Sequence, residues 1–256
     1  MSEPFDETAK TFLHRLFSSW GMKVETEREV FARARTIDLV VDCVRDDRQR
    51  LAMTPFAHFR KQNGIELKGN RDPLTDKDYN RSLMRIWALG GIDKPKGKKA
   101  KKVVTIVRNP AKRTLTIICV TRPTKILAMP DMKFMATDQP GFYLYDGQLP
   151  IWIIHPSELE LIERNYPLLP LAKGRKLEQF IELCVREGLT DYLQLILDIG
   201  LSTDPETTWR KIMEVTKMTV KIREDTWPYI DRFLREVPEA FQKLPTFRDV
   251  LDENGR

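Results

Sequence analysis

The sequence predicts an α/β protein, a mixed central sheet flanked by helices in the order helix, three strands, helix, strand (αβββαβ), with a helical module behind it. Three observations carry this expectation. Short runs with strand-like alternation are interleaved with segments whose apolar residues recur at helical spacing. The run around Ile117-Ile118-Cys119-Val120 is apolar enough for a strand buried on both faces. Beyond Pro156 the strand signal gives way to helical stripes, so the expected division is a sheet-bearing domain over 1–160 and helices over 161–256.

Taken in order, Ala9, Phe12, Leu13, Leu16, Phe17 and Trp20 form one apolar stripe that stops at Gly21, a first helix with a glycine at its exit. Over 22–31, Val24, Thr26, Arg28 and Val30 alternate with Glu25, Glu27 and Glu29, a strand with one charged face. A short basic link leads to a second strand over 36–44. Residues 45–63 are polar, interrupted by an apolar stretch over 51–59, and without a clear period; a long strand connection is expected there. The third strand covers 64–69 and ends in the turn Gly69-Asn70-Arg71-Asp72-Pro73. Thr75 and Asp78 stand at capping-box spacing and open a helix through Tyr79, Leu83, Ile86 and Trp87 toward Gly90-Gly91, with Arg81 and Arg85 among its apolar residues. Strands are expected over 103–108 and 114–121, and a hairpin over 141–145 and 151–154 around Asp146-Gly147, added at one sheet edge. In the C-terminal part, Leu177, Phe180, Ile181, Cys184 and Val185 form a stripe closed by Gly188, and the run over 193–199 a second helix closed by Gly200. Asp204-Pro205 opens a third helix and Trp227, Ile230, Phe233 and Leu234 mark a fourth.

Composition narrows the function. At 256 residues and 41% apolar the chain can bury a full core, and an excess of six cations over anions is compatible with a polyanionic partner. Lys96, Lys98, Lys99, Lys101 and Lys102 crowd into a short segment with proline and glycine, a basic loop that could contact nucleic-acid phosphates or simply be solvated. Cys43, Cys119 and Cys184 are too far apart for a zinc cluster and sit in apolar runs; His14, His58 and His155 have no metal-ligand or triad spacing. The N-terminal segment lacks signal-peptide character and no apolar run reaches the length of a membrane span, so a cytoplasmic protein without a membrane partner is expected.

The chemistry concentrates in two strands, Thr36-Ile37-Asp38-Leu39-Val40-Val41 and Gly64-Ile65-Glu66-Leu67-Lys68-Gly69. Side chains alternate across a strand, so Glu66 and Lys68 share one face while Ile65 and Leu67 take the other. Asp38 on a neighbouring strand brings a second carboxylate to the same point. Two carboxylates suit a hard divalent cation, and an adjacent lysine suits a water or a phosphate oxygen. An acid in one strand followed by Glu-x-Lys in the next resembles the active-site signature of the PD-(D/E)xK nuclease superfamily, the restriction-endonuclease-like fold. Here the matching elements are Ile37-Asp38 and Glu66-Leu67-Lys68, within residues 6–122; the family often has proline where Ile37 stands, and the acids lie 28 positions apart. The gross layout is similar to that of recombination-promoting nucleases and transposase-like proteins.

The resemblance implies a nuclease that hydrolyses DNA, with Asp38 and Glu66 holding Mg²⁺ or Mn²⁺ and Lys68 assisting the attacking water. Cleavage of both strands by a single-site enzyme would favour a homodimer. A fourth acid is usual in that superfamily; Glu7, Glu27 and Glu29 are the alternatives, although Glu7 lies about 150° from the centre of its helix's apolar stripe. Two other readings keep the same residues: a nuclease-like fold that grips nucleic acid without cutting, and an interaction protein in which Asp38 and Glu66 pair with Arg33, Arg35 or Lys68.

Overall fold

The structure is a computed structural model that describes residues 4–29, 36–91, 106–203, 207, 208, 210, 211 and 214; of residues 4–7, 27–29, 197, 198 and 200–203 it describes the backbone alone. Two compact units divide the chain, Met1–Ala172 and Lys173–Arg256. The first is an α/β layer structure around one mixed sheet.

Helix α1 (Pro4–Ser19) leads through Gly21, whose φ of +77° reverses the chain, into β1 (Lys23–Glu29) and β2 (Thr36–Asp42). A short helix α2 (Asp47–Leu51) and a series of turns precede β3 (Gln62–Lys68). Helix α3 (Asp76–Ala88) crosses to β4 (Arg113–Cys119); α4 (Thr124–Ala128), β5 (Met135–Ala136), β6 (Phe142–Tyr145) and β7 (Ile151–Ile154) follow. The strand order is β1-β2-β3-β4-β7-β6-β5. β1, β2 and β3 pair antiparallel, β3, β4 and β7 run parallel, and β7, β6 and β5 are antiparallel again. A parallel pair needs a crossover, which α3 supplies between β3 and β4. β4 has neighbours on both edges and buries all seven residues, as its apolar run predicts.

Ile37, Val40, Ile86, Leu89, Leu115, Ile117 and Ile151 belong to one core cluster that joins α3 to the sheet. Gly64 lets the helix come close: a Cβ there would stand 2.9 Å from Ile86 Cδ1. The helix starts where the capping residues predict, with the Thr75 hydroxyl accepting from Asp78 N–H at 3.2 Å. Its far end is held by Arg113, 2% exposed, whose Nη1 donates to the Ile86 carbonyl at 2.5 Å and the Trp87 carbonyl at 3.1 Å. The guanidinium also lies 5.6 Å from the Trp87 ring centre.

Several expectations change. The connection over 45–63 joins two strands as expected, but it holds the short α2 and its last two residues already belong to β3; Phe56 and Phe59 are buried against Phe17 of α1, with ring centres 4.8 and 5.6 Å away. Of the strand expected over 103–108, residues 106–108 are irregular and the rest lie outside the described residues. The hairpin expected at an edge joins the sheet through β7 against β4, and β5 extends it by one more strand.

In the second unit, α5 (Gly174–Glu187) ends at Gly188 with φ +67°, as its stripe predicts. Helix α6 (Thr190–Thr203) runs through Gly200 rather than stopping there; a glycine inside a helix costs only about 1 kcal/mol. The later helices, from Asp204-Pro205 and around Trp227, lie mostly or wholly outside the described residues, as does the lysine cluster Lys96, Lys98, Lys99, Lys101 and Lys102. Among the described residues no helix is long and apolar enough to cross a membrane.

Candidate active site

The β2–β3 ladder pairs Asp42 with Gln62, Val41 with Asn63, Val40 with Gly64 and Leu39 with Ile65, and stops there. One position further, the Asp38 side chain takes over the role of a backbone acceptor: its Oδ2 accepts from Leu67 N–H at 2.8 Å. A carboxylate is thereby fixed beside the residue that follows Glu66. Its other oxygen lies 3.8 Å from Lys10 Nζ of α1, an ammonium only 5% exposed.

Glu66 is 2% exposed on β3, beneath α3. Arg85 Nη1 donates to both of its oxygens at 2.9 Å. Burial, with the nearby Asp38 charge added, pushes the Glu66 carboxyl up to about 8 even though Arg85 and Lys68 oppose the shift. Lys68, two residues on, turns its ammonium to Asp72 at 2.8 Å and Asp78 at 3.9 Å. Burial works against the Asp78 charge, but the Thr75 hydroxyl and Lys68 outweigh it and hold that carboxyl below its ordinary range.

The helix and the strand are thus registered by charge. Asp78 and Arg85 on α3 meet Lys68 and Glu66 on β3, so acid faces base at both positions. Seven residues of helix rise about 10 Å, enough for one helix face to serve both ends of the Glu-x-Lys step. Asp38 and Glu66 are brought together; Lys68 shares their strand end, but its ammonium is occupied by Asp72 and Asp78. The ion-pair partners are Lys10 and Arg85, while Arg33 and Arg35 lie outside the described residues. The side chains of Glu7, Glu27 and Glu29 also lie outside them. Among the described residues no group of three or more His, Cys, Asp or Glu side chains gathers as a metal site.

Lys10 and Arg85 left signals in the sequence. Lys10 precedes Phe17 by seven residues and so stands on the buried stripe of α1, a position for an ammonium with a carboxylate partner. Arg85 follows Asp78 by seven and shares its face of α3.

The histidines and cysteines are structural. His58 Nε2 lies 2.9 Å from the Thr116 hydroxyl and its ring stacks on Trp152 at 4.4 Å; burial lowers it to about 3, so it stays neutral. His155 Nδ1 lies 2.9 Å from the Cys119 carbonyl, and all three cysteines are buried thiols.

Replacement of Arg85 by methionine is expected to destabilise the protein by about 2–4 kcal/mol at pH 8.5, because a buried carboxylate loses the cation that hydrogen-bonds both of its oxygens. At pH 5, where Glu66 carries its proton, the loss should be much smaller. Urea denaturation at the two pH values checks this, and equal losses would refute it.

The chain matches no protein-family model, no curated protein and no solved structure.

Proposed function

We propose that the protein is a divalent-metal-dependent nuclease that hydrolyses phosphodiester bonds of DNA, built on a restriction-endonuclease-like core with a C-terminal helical module. The observation that carries this reading is the convergence of Asp38 and Glu66 where the β2–β3 ladder ends. The order α1, β1, β2, β3, α3, β4, with β3 and β4 parallel, supports the core assignment.

The two carboxylates fit a hard cation chemically. Burial first, and the neighbouring Asp38 charge second, keep a proton on Glu66 up to about pH 8, and a divalent ion in place of that proton would offset both. Asp38 and Glu66 would hold the Mg²⁺ or Mn²⁺. Bound there, the ion would lower the pKa of water and balance charge on the phosphate. Lys68 would donate to the attacking water or a phosphate oxygen, with Asp72 and Asp78 positioning its ammonium. Arg85 keeps one buried N–H, at Nε, without an acceptor among the described residues, a donor for a phosphate oxygen.

A second reading, a nucleic-acid binder without catalysis, is favoured by the engagement of both Glu66 oxygens by Arg85. A plasmid-nicking assay with and without Mg²⁺, run beside Asp38→Asn, separates the two: a hydrolase requires the ion for turnover, whereas a binder only loses affinity as salt is added.

The Glu66 shift sets a pH dependence. In the unfolded chain this carboxyl ionises near its ordinary 4.5 and in the fold near about 8, so between those values the folded form holds more protons and stability falls as pH rises. The contribution is complete below 4.5 and lost above about 8. Thermal melts from pH 4.5 to 8.5 should show this fall, Glu66→Gln should flatten it, and Mn²⁺ should stabilise most at the alkaline end; melts of Glu66→Gln that track the parent protein would contradict it.

A further inference from the structure

At the end of β3 away from Lys68 the surface holds a groove of about 460 Å³, and five of its seven lining residues are cationic. Arg45, Arg48, Arg60, Lys61 and Lys112 line it with Cys43 and Val44, and no carboxylate does. These cations come from three separate stretches of chain that the sheet gathers. Cys43 N–H donates to the Lys61 carbonyl at 2.9 Å, which holds the exit of β2 against the entry of β3. Arg60 Nη1 donates to the Ala111 carbonyl at 2.5 Å, which ties in the turn before β4. Arg45, Arg48, Lys61 and Lys112 are exposed, and among the described residues none of the four forms a salt bridge. Cations of one sign, gathered by the fold without an ion-pair partner, repel one another, and Asp42 and Asp47 near Cys43 offset this only in part.

We infer that this groove is a binding site for the sugar-phosphate backbone of nucleic acid. Its cations are spread along an open groove rather than aimed at one point, which suits successive phosphates better than a single small anion. Three are arginines, whose planar fork takes phosphate oxygens two at a time. The lining has no aromatic side chain to enter a bilayer, which disfavours an anionic membrane as the partner. The groove lies about 20 Å along β3 from Lys68, so it is separate from the carboxylate pair. It deepens the nuclease reading by naming a surface that holds the polymer, and it rests on that reading for the polymer's identity.

The test is the salt dependence of affinity for a short fluorescein-labelled DNA duplex, measured in EDTA by anisotropy on the full chain. Each phosphate contact contributes about 0.9 to the slope of log K against log salt, so Arg45→Gln/Arg48→Gln/Lys112→Gln should reduce that slope by about 2–3 and weaken binding alike for unrelated sequences. The charge-preserving Arg45→Lys/Arg48→Lys/Lys112→Arg should keep most of the slope. Melts of each variant confirm that folding is unchanged; if the glutamine variant does not fold, Lys112→Gln alone should lower the slope by about 0.9. An unchanged slope in a folded glutamine variant overturns the groove and leaves the nuclease reading standing. Groove-dependent binding without any metal-dependent cutting supports the groove and removes the nuclease. Binding to phosphatidylserine vesicles with none to the duplex overturns the groove as a nucleic-acid site.

Discussion

Lys68→Ala is expected to reduce magnesium-dependent nicking of plasmid DNA by about 10²–10⁴-fold, the range seen when a group that handles the transferred proton is removed. The substitution isolates chemistry from folding. Lys68 shares its ammonium between Asp72, whose side chain is 57% exposed, and Asp78, which keeps the Thr75 hydroxyl as a partner. Such partly exposed pairs are worth about 0–1 kcal/mol, so the variant should melt close to the parent. Asp38→Ala is a poorer probe. It removes the acceptor of Leu67 N–H and leaves the Lys10 ammonium without its carboxylate, so lost activity would be mixed with lost stability. Asp38→Asn keeps an oxygen for the amide and is the cleaner companion. A folded Lys68→Ala protein that nicks at the parent rate would exclude the role given to this lysine.

The largest stability loss is expected at a residue with no part in the chemistry. Arg113→Met should cost about 3 kcal/mol or more, measured by urea denaturation, because three carbonyls around the end of α3 lose one donor group together. Burial lowers the pKa of this guanidinium, but its position at the C-terminal end of a helix, where carbonyl oxygens carry partial negative charge, favours the cation. Gly90 leaves the room it needs: a Cβ there would lie 2.7–2.9 Å from the guanidinium atoms. Arg113→Lys should recover little, since an ammonium cannot span carbonyls of successive residues in the same plane. Because α3 also carries Asp78 and Arg85, the proposed metal site should weaken along with stability. A loss under about 1 kcal/mol would show that water or neighbouring groups satisfy those carbonyls.

Much of the architecture was legible because local and long-range signals agree. The stripe of α1, the cap at Thr75, the apolar run of β4 and the glycine after α5 each have one physical solution, and each is found. The juxtaposition of Asp38 and Glu66 was legible too, since each is an acid flanked by apolar residues within a strand, Ile37 and Leu39 in one and Ile65 and Leu67 in the other. Other features depend on partners that local spacing does not name. Phe56 and Phe59 have no period of their own; they are ordered by Phe17, some forty residues earlier in the chain. Gly200 reads as a stop only when the helix around it is ignored. The cationic groove is the clearest case: Arg45 and Arg60 stand at the two ends of the β2–β3 connection and Lys112 just before β4, and only the strand pairing makes them neighbours.

The two outer strands govern how the molecule treats other copies of itself. β5 is two residues long, too short to template a second sheet, and β1, at the opposite border, has a charge-rich sequence, Lys-Val-Glu-Thr-Glu-Arg-Glu. An incoming strand would gain few backbone bonds at β5 and would have to pair with a charge-rich strand at β1, which guards against fibrous aggregation.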